Sequence, residues 1–286
     1  MEGMNAKVID GRAAAALLRA EFIPRIEHLR ERTNVTPGLA VVLVGDNPAS
    51  AIYVNNKVRA CEQIGIRSSR IDLEATIDTD SLVKRIQALN EDPTVHGILV
   101  QLPLPRHIDM RRVLETISVE KDVDGFHLYN VGGLVVGNTI FSPCTPYGVV
   151  KLLEYERIKV EGQNVVVVGA SNIVGKPMAL MLMQRDATVC ICHAKTRDLA
   201  QFTILADILI VAAGKPHLIL PQMVKTGAVV IDVGINRLPD GSITGDVDFE
   251  GVSAKASYIT PVPGGVGPMT ITMLLENTIA AAERLA

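Results

Sequence analysis

NVVVVGASNIVGKP, residues 164–177, is the stretch whose reading decides the fold. Four consecutive valines run straight into Gly169, and a helix-compatible segment opens near Gly175. Strand, tight turn and helix N-terminus is the context in which a glycine pattern is credible as a dinucleotide-binding turn. The usual G-x-G-x-x-G is incomplete, because Ser171 stands where the middle glycine would let backbone approach a pyrophosphate. A serine hydroxyl can itself donate to a phosphate oxygen, and a helix start offers unpaired N–H groups and the positive end of a dipole. The plainer alternative is an ordinary strand-to-helix turn with glycines for packing.

NAD-binding versions of such a turn carry Asp or Glu about 20 residues on, at the end of the second strand, to hold the ribose 2′-OH. Here ATVCICH (187–193) is followed by Ala194, Lys195, Thr196 and Arg197, with no carboxylate. Cations suit a 2′-phosphate, so NADP is expected ahead of NAD, with Lys176 able to help from the first turn. Solvent-facing charges are the bland reading of Lys195 and Arg197. Three later strands end in glycine-rich tips, at Gly214, Gly234 and Pro263-Gly264-Gly265. Ligands of parallel sheets bind beyond the carboxyl ends of strands, and recurrent glycines there favour a crevice.

Working toward the N-terminus, a helix is expected over 11–32, a buried strand over 39–45 and a helix over 51–65 with Asn47 as its cap. Strand 68–75, helix 80–92, strand 96–105 and helix 110–117 follow, an α/β unit of its own. Residues 118–147 are looser and Gly- and Pro-containing, so the junction is placed there. The expected domains are 1–122 and 123–267, with a closing helix over about 268–286. The fold class is α/β: an N-terminal α/β domain and a C-terminal Rossmann-like parallel-sheet domain.

The composition agrees. Of 286 residues 48% are apolar and only 3% aromatic, with no Trp, so small aliphatic side chains must fill the core, as suits a sheet covered on both faces. A net charge of −3 and scattered basic residues give no footprint for nucleic acid. No apolar run reaches the roughly 18 residues of a membrane span, and no secretory signal is evident. Cys61, Cys144, Cys190 and Cys192 form no C-x-x-C pair and read as reduced thiols of a cytoplasmic protein. The six His are dispersed, so no metal site is expected.

In the N-terminal half, YVNNK places Tyr53 and Lys57 four apart on one helical face. A lysine beside an aromatic in a partly dry cleft is fit for proton transfer, although a surface lysine is the commoner meaning of this pattern. Gln101 follows a buried-looking strand at its carboxyl end, where a primary amide can hold an amine. In KDVDGFH (121–127), Asp122 and Asp124 precede a glycine turn. Either carboxylate could accept a bidentate pair from an amino-pyrimidine edge, or simply build an Asx turn.

Seven pieces in order, SAIYVNNKVRACEQIGI, GILVQLPLP, KDVDGFH, PCTPYG, VVVVGASNIVGKP, VIDVGINR and TPVPGGVGPMT, resemble the bifunctional methylenetetrahydrofolate dehydrogenase/cyclohydrolase family. The resemblance implies oxidation of 5,10-methylenetetrahydrofolate by NADP, then hydrolysis of the methenyl product to 10-formyltetrahydrofolate. It implies Lys57 as the catalytic lysine, Gln101 as its tuning partner, Tyr53 as the ring orienting the folate and Asp124 as the anchor of the pterin edge. Pro263, Gly264 and Gly265 become the wall of the folate site. Cofactor contacts are implied at Thr145, Gly169, Ala170, Ser171, Ile173, Val174, Lys176, Lys195 and Ile235. The family fold implies that the N-terminal α/β domain is catalytic, that a cleft lies between the two domains, that the last helix packs back on the first domain and that the chain forms a homodimer through the cofactor domain. Ala194 and Ala170 depart from related sequences, leaving Lys195, Lys176 and Arg197 for the 2′-phosphate. The rival readings are a shikimate- or amino-acid-type dehydrogenase and a nucleotide-sensing module without chemistry.

Overall fold

A computed structural model describes residues 5–286, and in it the chain divides into two compact units. One holds the residues up to Ala16 together with Thr145–Thr270, the other Leu17–Cys144 with Ile271–Ala286, so the division falls inside the first and last helices.

The elements run β1 (Lys7–Val8), α1 (Gly11–Thr33), β2 (Gly38–Val44), α2 (Pro48–Ile64), β3 (Arg67–Leu73), α3 (Thr79–Glu91), β4 (Gly97–Val100) and α4 (Met110–Thr116). After a 3₁₀ turn at Val119–Lys121 come α5 (Leu128–Val136), α6 (Cys144–Tyr155), β5 (Asn164–Val168), α7 (Gly175–Met183), β6 (Thr188–Cys192), α8 (Ala200–Thr203) and β7 (Ile208–Val211). A second 3₁₀ turn at Pro221–Met223 is followed by β8 (Val229–Asp232), β9 (Asn236–Arg237), β10 (Ile243–Thr244), α9 (Phe249–Ser253), β11 (Tyr258–Ile259) and α10 (Val266–Leu285).

In the Leu17–Cys144 unit, β2 is the middle of a three-stranded parallel sheet ordered β3-β2-β4. All seven residues of β2 are buried, as a parallel strand covered on both faces requires. Leu82 and Ile86 of α3 and Val113 of α4 pack with Val42, Ile98 and Val100 in one core. Asn47 caps α2 as expected, its Oδ1 accepting from Ser50 N at 3.2 Å. The far end of this unit is closed by α10: Arg25 of α1 pairs with Glu276 and Glu283, each at 2.6 Å.

The other unit is built on a six-stranded sheet ordered β1-β11-β8-β7-β5-β6, every pairing parallel. The four valines of β5 are buried between β6 and β7. The chain leaves β5 for β6 on one side and then crosses to β7 on the other. That reversal is a topological switch point, where the carboxyl ends of adjacent strands open a crevice.

Two expectations need correcting. The region 118–147 is not all loop, since it contains α5; Gly132 and Gly133 inside that helix lower its propensity and hide it. The strand expected over 96–105 contracts to β4, and the strands expected to run to Gly214 and to Pro263-Gly264-Gly265 end earlier, as β7 and β11, with the Gly and Pro residues turning away as loops.

Candidate active site

Around β2 and β4, the sequence order of strand, helix and strand sets Lys57 against Gln101. Lys57 lies on α2, which packs beside β2 and β3, and Gln101 is the first residue beyond β4. The backbone N–H of Gln101 still donates to Val42 O at 2.9 Å, so the residue is fixed by the sheet although it has left the strand. Lys57 Nζ donates to Gln101 Oε1 at 3.1 Å, and Gln101 Nε2 donates to Leu102 O at 2.7 Å. Both ends of the amide are thus committed, and the amine is held on a fixed acceptor. Tyr53, one helical turn before Lys57, is 38% exposed.

The two aspartates of KDVDGFH separate into different tasks. Asp122 is buried and turns back on its own loop, accepting from Phe126 N at 3.2 Å, His127 N at 2.8 Å and Asn130 Nδ2 at 2.8 Å. Burial pushes its pKa up to about 6, and the three donors offset only part of that. Asp124 is only partly buried and builds no such turn. Burial raises its pKa, opposed by the positive charge of Lys57. Lys57, Gln101 and Asp124 therefore lie together in one unit. An anion, an amine and an amide at one place can bind a hydrogen-bonding heterocycle and move a proton beside it.

Two residues with no expected role support this group. Cys144 is buried, its thiol donates to Val123 O at 3.3 Å, and burial raises its pKa well above the ordinary thiol value. Asn277 of α10 donates Nδ2 to Val123 O at 2.9 Å and to Ser142 O at 3.1 Å. Val123 precedes Asp124, so the carbonyl on its N-terminal side is fixed twice. The PCTP piece marked Cys144; nothing local marked Asn277, whose partners lie more than 130 positions away.

In the other unit the parallel order brings the remaining candidates to one edge. The loops after β5, β6, β7, β8 and β11 all leave the carboxyl ends of strands in the same sheet. They carry Gly169 to Val174, Lys195, Gly214, Ile235 and Pro263 to Gly265. Gly169 has φ +128°, and a Cβ on it would run into the carbonyl of Ala212, next to β7 at the switch point. A Cβ on Gly175 would strike the carbonyl of Gly169, so α7 starts as close to the turn as backbone allows. Ser171 Oγ accepts from Val174 N at 3.1 Å and Gly175 N at 3.4 Å. The serine is thus a cap for α7 as well, with its own proton still available to donate.

Ser171 and Ile173 are exposed, Ala170 and Val174 half-buried. Lys176 is exposed and bonds Asn172 Oδ1 at 2.7 Å, while Lys195 and Arg197 are exposed in the loop after β6. Ile235 is 48% exposed beyond β8. Thr145, at the start of α6, shares a 3.1 Å hydrogen bond with Thr270. Pro263 is exposed and Gly265 buried, its N–H donating to Pro261 O at 2.9 Å. Among the described residues no cluster of His, Cys, Asp and Glu could hold a metal, no helix is long and apolar enough to cross a membrane, and all four cysteines are free.

Known proteins share this arrangement along the whole chain. Residues 9–124 match the family model for the tetrahydrofolate dehydrogenase/cyclohydrolase catalytic domain, and residues 143–286 match that for its NAD(P)-binding domain. The bifunctional protein FolD of Nitrosospira multiformis is 62% identical over 281 residues, 98% of this chain and 97% of that protein. The crystal structure of the bifunctional FolD dehydrogenase/cyclohydrolase from Campylobacter jejuni superposes with a TM-score of 0.96 at 54% identity, covering 98% of this chain and 99% of that one. The Trypanosoma brucei methylenetetrahydrofolate dehydrogenase-cyclohydrolase, complexed with NADP and an inhibitor, gives 0.95 at 39% identity, covering 98% of each chain. The chain belongs to the tetrahydrofolate dehydrogenase/cyclohydrolase family.

Proposed function

We propose that this chain oxidises 5,10-methylenetetrahydrofolate with NADP and then hydrolyses the 5,10-methenyltetrahydrofolate formed to 10-formyltetrahydrofolate. The observation that carries the reading is the 3.1 Å hydrogen bond from Lys57 Nζ to Gln101 Oε1 in the unit that also holds Asp124. It supplies a placed amine for proton transfer and a carboxylate for the amino-pyrimidine edge of a pterin.

The residues present fit NADP. The glycine at 169 leaves room at the switch point, and the start of α7 with the Ser171 hydroxyl can hold phosphate oxygens. Lys195 and Arg197 are cations for a 2′-phosphate, with Lys176 nearer the turn. Ala170, Ile173, Val174, Thr145 and Ile235 serve as contacts along the nucleotide. NADP, when bound, supplies the hydride acceptor.

The oxidation needs no protein nucleophile, because the folate nitrogen lone pair expels the hydride. What the chain contributes is alignment, worth up to roughly 7–11 kcal/mol in favourable geometries. Tyr53 orients the folate and Asp124 fixes the pterin edge. In the hydrolysis a water oxygen bonds to the methenyl carbon and gives up both of its protons as it becomes the formyl oxygen. The bond from that carbon to N5 breaks, N5 takes one proton, and the other is released to solvent. Lys57 serves these transfers, and Gln101 keeps the amine in place.

A second copy of the chain is the expected partner. β6 is one of the two edges of its sheet, and Met183, Ile191, Phe202 and Leu205 nearby in the chain are exposed apolar residues. Sedimentation should give twice the chain mass. The four free thiols fit a reducing, cytoplasmic setting. The functional reading is tested by absorbance, with methylenetetrahydrofolate and either NADP or NAD. NADPH formation with transient methenyl absorbance supports it; no reduced cofactor with either nucleotide contradicts it.

A further inference from the structure

Behind the loops at the carboxyl edge of the six-stranded sheet lie two buried carboxylates that the reaction does not use. Asp246 is fully buried and accepts four hydrogen bonds. Its Oδ2 accepts from Ala213 N at 2.7 Å and Gly214 N at 2.9 Å, its Oδ1 from Lys215 N at 2.9 Å and Asn236 Nδ2 at 2.8 Å. Three consecutive backbone N–H groups of the loop after β7 are therefore gathered on one side chain. Ala212, the residue just before them, has its carbonyl against Gly169 at the switch point. Asn236, the fourth donor, opens β9 directly after Ile235, the last residue of the loop beyond β8.

Asp232, at the end of β8, holds the backbone that carries Asp246. Its Oδ1 accepts from Gly234 N at 2.9 Å and Asp246 N at 3.0 Å, and its Oδ2 from Val247 N at 2.9 Å. The glycines interleave with this pair. A Cβ on Gly234 would collide with the Asp246 carboxylate, and a Cβ on Gly245 with that of Asp232. Each carboxylate fills the space that a side chain on the other strand end would need.

We infer that Asp246 is a positioning residue for the nucleotide: it clamps the loops after β7 and β8 so that the crevice beside Gly169 has the shape NADP requires. Asp232 is the support behind it. This rests on the NADP-dependent reading above. No atom of Asp246 need touch the nucleotide, because its effect passes through the backbone of Ala213, Gly214 and Lys215.

The bifunctional chain contains its own control, since the hydrolysis consumes no NADP. Asp246→Asn keeps the size but leaves one acceptor oxygen for four donors. In the full-length variant, calorimetric titration with NADP should show Kd raised by about tenfold or more, the scale of about 1.4 kcal/mol of lost loop bonding. KM for NADP should rise in parallel, with a smaller fall in dehydrogenase kcat. Hydrolysis of methenyltetrahydrofolate without cofactor should stay within about twofold of wild type, because Lys57 and Gln101 belong to the other unit and share no partner with Asp246. An unchanged NADP Kd, or equal losses in both activities, overturns the inference. Should Asp246→Asn not fold, Asp232→Asn is read by the same assays. It should show about a threefold rise in Kd with hydrolysis intact, and no rise or a parallel loss counts against the clamp. A wild-type chain that neither binds NADP nor forms NADPH fails the functional reading itself, and the inference with it.

Discussion

Asp122 and Asp124 show how two like residues two positions apart acquire different work. Before folding they are interchangeable, since either could build the turn or meet a ligand. The structure assigns the turn to Asp122 through its bonds with Phe126, His127 and Asn130. Asp122→Ala should therefore destabilise the chain by about 3 kcal/mol in urea unfolding, because buried N–H donors lose their acceptor. Asp124→Asn should leave stability within about 1 kcal/mol and raise the KM for the folate instead. A pair of variants behaving alike in both measurements would contradict this division. The residue type and spacing were legible in the sequence. Which carboxylate is spent on the turn was not, because it depends on Asn130 presenting its side chain from α5, a helix the sequence concealed. Asn277 was hidden for a similar reason, as its partners come from the distant segment 123–142.

At the scale of elements, β5 and its turn were readable because a buried parallel strand leaves a nearly continuous apolar run. The missing middle glycine did not prevent the turn, since the close approaches are made at Gly169 and Gly175. Ser171 occupies a place where a side chain caps α7. Gly169→Ala combines a collision with Ala212 and a non-glycine residue at φ +128°. Such backbone strain costs about 1–3 kcal/mol. The variant should lower Tm and weaken NADP binding by about tenfold or more, as followed by calorimetry. Wild-type NADP affinity in Gly169→Ala would mean that the nucleotide does not lie at this turn. The Asp232–Asp246 arrangement left no motif to recognise, because its meaning is in backbone donors that three separate loops present only once the sheet has formed.

Across the whole molecule, several buried acids set the dependence of stability on pH. Burial raises the pKa of Asp122 and Asp232 to about 6 and raises that of Asp124. An acid raised above its unfolded value near 3.8 contributes stability that is fully present below that value and lost as pH rises through about 6. His96 opposes this, since burial lowers its pKa and its contribution is lost as pH falls. The difference between wild type and Asp232→Asn isolates one acid. Wild type should gain about 1–2 kcal/mol relative to the variant between pH 7.5 and pH 5. A flat difference across that range would show that the three N–H donors outweigh burial. Division into two α/β parts could be anticipated from alternating strands and helices. The return of α10 to the Leu17–Cys144 unit was expected only from the family resemblance, because the partners that fix it, such as Arg25 with Glu276 and Glu283, are distant in sequence.

In the proposed reaction the Lys57 amine, held on Gln101, moves the proton of the hydrolytic step. The decay of methenyltetrahydrofolate absorbance with Lys57→Met, alongside calorimetric binding of NADP, tests this role. Hydrolysis should fall by about 10²–10⁴-fold, the range for a lost general acid–base group, while NADP Kd stays at the wild-type value. Hydrolysis at the wild-type rate in a variant that still binds NADP would contradict it.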